Sequence, residues 1–194
     1  MNCYFIQKKS QYDQYKKSVA GQIFLKNNLP DQVFKNRFTQ YYFDEFTWCL
    51  SDEFMNDLKK LMKISNDDHV LMAVLDPNPE KYYYKNFDYY NWAVISSKCN
   101  SDEYYSLISK EPLGSPADTI VDNSETIVWL PTSMQWAIYG NSFSGLTVLG
   151  TNLKVDRKTA WRALNDEYLK VIKLNYEGSD FEYFKKKLVD NFSK

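Results

Sequence analysis

The sequence predicts an α+β fold, a largely antiparallel sheet of about five or six strands packed with N-terminal and C-terminal helices. Three observations carry this. Residues 1–66 show apolar side chains at helical spacing, residues 67–151 hold short apolar runs closed by turn residues, and residues 156–192 return to helical spacing. The strand candidates are joined mostly by short connections, which favours antiparallel neighbours. No internal repeat and no Gly/Ser-rich linker divides the chain, so 1–194 reads as a single domain.

In order along the chain, residues 10–27 form the first helix, with Tyr12, Tyr15, Val19 and Ile23 three and four apart and Asn27-Asn28 before Pro30 as the stop. Asp31 is placed to cap a second helix with Phe34, Phe38 and Tyr41 on one face. Tyr42–Leu50 reads either way, since FTWCL also suits a strand. Ser51 is placed to cap a third helix whose buried stripe is Phe54, Leu58, Leu61 and Met62. His69–Leu75 is a continuous apolar run closed by Asp76-Pro77-Asn78-Pro79, the signature of a central strand ending in a turn. Tyr82–Tyr84 and Trp92–Ser96 are the next strand candidates. Asn100 and Glu103 make a capping pair for a helix that ends near Lys110, before Pro112. After the loop EPLGSPADTIVDNSE come three core strands: Thr126–Leu130, Trp136–Tyr139 and Leu146–Leu149. Along the second of these the rings of Trp136 and Tyr139 must face opposite sides. Trp161, Leu164, Tyr168 and Val171 mark a helix stopped by Gly178. Ser179 and Glu182 then form a capping box for a last helix carrying Phe181, Phe184 and Leu188.

Charge and composition exclude several function classes. With 24 basic and 25 acidic residues the net charge is −1, which lacks the excess a general nucleic-acid binder needs. Only Arg37, Arg157 and Arg162 supply guanidinium forks for phosphate or carboxylate. No run approaches the ~20 apolar residues that span a bilayer, and the N-terminus lacks the apolar core of a secretory signal. Cys3, Cys49 and Cys99 are odd in number and widely spaced, which fits reduced thiols. The expectation is a cytoplasmic, bacterial protein with no membrane and no nucleic-acid partner.

No reaction centre is legible. His69 is the one histidine, beside Asp67 and Asp68, and reads as a residue at the mouth of a strand satisfied by a neighbouring carboxylate. A metal site needs several converging ligands, and no cysteine lies near it in sequence. Carboxylate pairs such as Asp52-Glu53 and Asp102-Glu103 fall at predicted helix N-termini, where the macrodipole favours them. Asp118, Asp122 and Glu125 lie in a loop without that account. No P-loop or GxGxxG occurs. The expectation is therefore no catalytic residue, no metal and no cofactor.

The aromatic content is the unusual quantity: 16 Tyr, 12 Phe and 5 Trp in 194 residues. The densest cluster runs through Tyr82-Tyr83-Tyr84, Phe87, Tyr89, Tyr90 and Trp92. Successive strand residues face opposite ways, so these rings either fill a sheet covered on both faces or form a recognition surface.

Three pieces, VLDPNP (74–79), GSPADTI (114–120) and WLPTSMQWAIYG (129–140), together resemble immunity proteins of bacterial polymorphic or contact-dependent toxin systems. The likeness covers about residues 68–150. It implies an α+β protein that binds and blocks a cognate toxin domain. A toxin nuclease with a basic cleft would meet carboxylates flanked by rings, which places the expected partner-binding residues at Tyr83, Asp88 and Tyr89, with Asp118 and Asp122. The rival expectation is a small-ligand or carbohydrate-binding protein with a pocket lined by Trp92, Trp129 and Trp136. A homodimer interface is the third use for the rings.

Overall fold

The computed structural model describes residues 2–155, 161–176 and 180–193. Among them lies one seven-stranded antiparallel sheet, with strands β1 (Cys3–Phe5), β2 (Gln40–Glu45), β3 (His69–Asp76), β4 (Trp92–Ser96), β5 (Thr126–Pro131), β6 (Trp136–Asn141) and β7 (Leu146–Thr151). Their spatial order is β1-β4-β3-β5-β6-β7-β2. The helices are α1 (Lys9–Gln22), α2 (Phe54–Ser65), the single turn α3 (Lys85–Phe87), α4 (Ser101–Ile108), α5 (Asp166–Asn175) and α6 (Phe181–Phe192). The α+β class and antiparallel sheet are as expected, with more strands than expected. No helix among the described residues is long and apolar enough to cross a membrane.

Both faces of the sheet are covered, and this accounts for the apolar runs. Every residue of β5, β6 and β7 is buried, because alternate side chains enter two separate cores. On one face Leu71, Trp92, Val128, Leu130, Tyr139 and Val148 meet α1, α5, α6 and the 23–38 segment. On the other, Val70, Met72, Ile95, Trp129, Trp136 and Ile138 meet α2, α4 and the 3-10 turn Phe46–Leu50. Trp136 and Tyr139 do face opposite sides. Most of the chain's ring content is thus core.

α2 buries the expected stripe of Phe54, Leu58, Leu61 and Met62. Ser51 does not cap it. Ser51 closes the preceding 3-10 turn, its hydroxyl donating to the Trp48 carbonyl at 2.7 Å. At the far end Asn66 adopts the left-handed conformation (φ 57°) that ends many helices. α4 carries the expected capping box of Asn100 and Glu103.

Other expectations fail as well, beginning with the first helix, which stops at Gln22 rather than at Asn27. Residues 31–41 are not helical: Ile23 and Phe34 form an isolated antiparallel bridge, and Tyr41 belongs to β2. The helical spacing of Phe34, Phe38 and Tyr41 still reflects proximity, since Phe34 and Phe38 pack with centroids 5.3 Å apart. Tyr82–Tyr84 is a π turn rather than a strand, because Pro79 and the Asn78 cap start a helical winding. α5 begins only at Asp166, capped by Asn165, while Arg162 bridges to Phe43 on β2. The cap of α6 is Asp180, whose side chain accepts from Tyr183 N, while the expected Gly178 stop and Ser179 cap lie outside the described residues.

Candidate functional site

Two loops converge at the end of the sheet where β3 finishes and β4 and β5 begin. The first is residues 77–91. Asn78 accepts hydrogen bonds from the amides of Glu80 and Lys81 at 3.1 and 2.8 Å, and Pro79 follows as the first helical residue. The resulting π turn, Pro79–Tyr84, runs into α3 and ends at Asp88, which takes a left-handed conformation (φ 63°). Asp and Asn tolerate that conformation better than most side chains. Tyr90 N then donates to the Ile6 carbonyl, which pins the loop to the N-terminal segment.

The wider π winding divides the three consecutive tyrosines. Tyr84 stacks on Tyr90 at 4.6 Å, and Tyr90 stacks in turn on Tyr12 of α1 at 3.8 Å. Tyr82 and Tyr83 turn the other way, toward Phe87, Tyr89 and the second loop. Tyr89 packs against Phe5 of β1 at 5.0 Å, and the Lys110 ammonium stands 5.7 and 5.8 Å from the Phe5 and Tyr89 ring centroids.

The second loop, residues 111–125, is anchored by the buried side chain of Ile120 and by Val121 N bonding the Ile108 carbonyl. Asp118 is its hub. Its carboxylate accepts from Tyr82 Oη at 2.6 Å, Ser115 Oγ at 2.6 Å and Asn123 Nδ2 at 3.0 Å. The Tyr83 hydroxyl donates to the Asp118 backbone carbonyl. The bonds from Ser115, Tyr82 and Asn123 hold the Asp118 carboxyl below the usual carboxylate range. The same carboxylate raises the Tyr82 phenol, and burial pushes Tyr89 up to about 12. Asp122 accepts from the Thr119 hydroxyl at 2.6 Å and is exposed.

The structure therefore brings Tyr83, Tyr89 and Asp118 together, with Asp122 on the same loop. Asp88 lies exposed at the turn between the rings. Tyr83 is only 1% exposed, so it supports the loops and presents no ring to a partner. The ring at the surface is its neighbour Tyr82, 37% exposed. Sequence reasoning counts Tyr82 in the aromatic cluster but not among the partner-binding residues, and it misses Phe5, Lys110, Ser115 and Asn123. Tyr82 and Asp118 are 36 positions apart, and no local pattern links them. Across residues 76–91 and 110–125 stand seven carboxylates against three lysines, so this end is far more acidic than the chain as a whole.

Elsewhere, the His69 ring has the Thr132 hydroxyl as its partner at 3.3 Å, not a carboxylate. The neighbouring Asp67 is turned inward and accepts from Ser133 N and Ser133 Oγ, both at 2.7 Å, and from the Ser65 hydroxyl. Trp92 lies in one core and Trp129 and Trp136 in the other, so the three indoles cannot line one pocket. Among the described residues, no three His, Cys, Asp or Glu side chains are grouped to hold a metal ion. No family model matches the chain, and neither do any of the curated proteins or solved structures compared with it.

Proposed function

We propose that this chain is a non-catalytic protein-binding inhibitor that occupies a cognate bacterial toxin domain through the loop pair 77–91 and 111–125. The observation that supports this is the hydrogen-bonded fixation of an acidic, ring-bearing surface: Asp118 is held by three side chains, with Tyr82 beside it and Asp88 and Asp122 exposed on the same loops. Fixed carboxylates spend little entropy on binding, and a negative field speeds the approach of a basic cleft. Rings at the centre of such a patch slow release. The inhibitor acts by occlusion and charge complementarity, so no bond is made or broken on this chain.

The test is co-expression with the product of the neighbouring gene, which this reading expects to carry a toxin domain. The reading expects restored growth and a one-to-one complex. An interface of about 1,600 Å² in total would be of standard size. Continued killing despite soluble expression of both chains, or substrate turnover by this chain that one polar substitution abolishes, would overturn it.

A further inference from the structure

The N-terminal edge of the sheet places two thiols side by side. Cys3 pairs with Ile95 across the β1–β4 ladder. Cys99 follows four residues later, where the chain turns back and Cys99 N bonds the Ser96 carbonyl at 2.9 Å. Both side chains are buried in the same core and lie against the first turn of α4. Cys3 Sγ is 3.5 Å from the Glu103 carbonyl, and Cys99 Sγ is 3.6 Å from that of Asn100. Residues three apart on a helix share one face, so the two carbonyls hold the two sulfurs over the same patch. Held over that patch, the two thiols lie close enough for each to shift the other's ionisation.

They are not equivalent. Cys3 lines a cavity of about 630 Å³ between β1 and α4, bounded also by Phe5, Leu107 and Lys110, and is the more accessible of the two. Cys99 is fully buried behind it. Its neighbour Cys99 lowers the Cys3 thiol from its ordinary value, while Cys3 raises that of Cys99, so the more accessible thiol is also the one that ionises more readily. Cys49 is different again. It is sealed under the Phe46–Leu50 turn, with its sulfur 2.9 Å from the Phe46 carbonyl and 3.0 Å from Thr147 Oγ1, and burial pushes it up to about 12.

We propose that Cys3 and Cys99 are a peroxide-responsive pair that closes to a disulfide and fastens β1 to the turn after β4. The Cys3 thiol gives its proton to solvent, the thiolate attacks one oxygen of hydrogen peroxide, the O–O bond breaks, and Cys3 becomes a sulfenic acid with release of hydroxide, which takes up that proton from solvent to become water. The Cys99 sulfur then attacks the Cys3 sulfur, the S–O bond breaks, and a second water leaves with the Cys99 proton. Two thiols are oxidised and one peroxide is reduced to two waters.

The experiment treats the native full-length protein with hydrogen peroxide, then alkylates and digests it with trypsin. The expected product joins peptide 1–8 to peptide 99–110 with the loss of two hydrogens, while Cys49 remains alkylated. Dithiothreitol should reverse the link. In Cys99→Ser the reaction should stop at a Cys3 sulfenic acid trapped by dimedone. In Cys3→Ser, Cys99 should stay unmodified. Oxidised protein should also show slower amide exchange at Tyr4 and Ile6 than reduced protein. Native protein in which Cys3 and Cys99 stay reduced, oxidise separately to sulfinic acids, or link to Cys49 would overturn the proposal. Circular dichroism of each variant establishes that the result reports on the folded chain.

Discussion

Replacing Asp44 with Asn should make this protein more stable, and only above acidic pH. Asp44 lies on β2 opposite Thr147 of β7 and is 8% exposed. Its Oδ1 accepts from Glu45 N at 2.8 Å, while the buried Oδ2 has no hydrogen-bond partner among the described residues. Burial raises the carboxyl from 3.8 to about 6, against the opposing pull of the Glu45 amide and the Arg162 charge. The folded protein thus keeps a proton that the unfolded chain has already lost between these values. Stability from this residue is complete below pH 3.8 and falls as pH rises through about 6. At 1.36 kcal/mol per unit the loss amounts to about 3 kcal/mol at most. Asn is neutral throughout and still accepts from Glu45 N, so it forgoes that loss. Urea unfolding followed by tryptophan fluorescence, run on both proteins from pH 4 to pH 8, isolates the effect because other titrations cancel in the difference. The variant should match wild type near pH 4 and exceed it by about 1–3 kcal/mol at pH 8. A difference that does not change with pH, or a variant less stable at pH 8, would refute the burial argument.

Three further outcomes are expected. Asp67→Ala leaves the Ser133 amide and hydroxyl without their acceptor and returns the Ser65 hydroxyl to the Leu61 carbonyl, and should cost about 1–2 kcal/mol in urea unfolding. Gly150→Ala drives a methyl group into the Phe38 ring, and the forced shift should cost about 1–3 kcal/mol in the same assay. Tyr83→Phe removes the hydroxyl that reaches the Asp118 carbonyl; it should cost about 1 kcal/mol and speed amide exchange across 115–123.

Where the sequence was explicit, local signals agreed with tertiary demand. β3, β5 and β7 announce themselves because a sheet covered on both faces needs uninterrupted apolar strands. α4 is declared by Asn100 and Glu103, whose cap closes within four residues. β2 was hidden because QYYFDE mixes Tyr, Phe and acid, and its buried Asp44 argues against a strand that tertiary packing imposes. The 31–41 segment misled because helical spacing and a bridge-closed turn both gather Phe34 and Phe38. In the candidate site, the residue types were legible and their partners were not. Asp118 stood out as a loop carboxylate, yet the groups that fix it are Ser115 and Asn123 nearby and Tyr82 from another loop. The sequence does not tell which of three consecutive tyrosines reaches the surface beside Asp118, and the π turn buries Tyr83 and gives that place to Tyr82.

The direct test of the binding account is calorimetric titration of the neighbouring gene's product, which the account expects to carry a toxin domain, into this protein and two sets of variants. Asp122→Lys and Tyr82→Ala alter the proposed face at exposed positions, and Tyr183→Ala alters an exposed ring on α6. Wild type and Tyr183→Ala should bind alike, while each face variant weakens binding by about tenfold or more, equal to about 1.4 kcal/mol. Equal affinity for all four proteins, or no heat of binding for wild type, would contradict it.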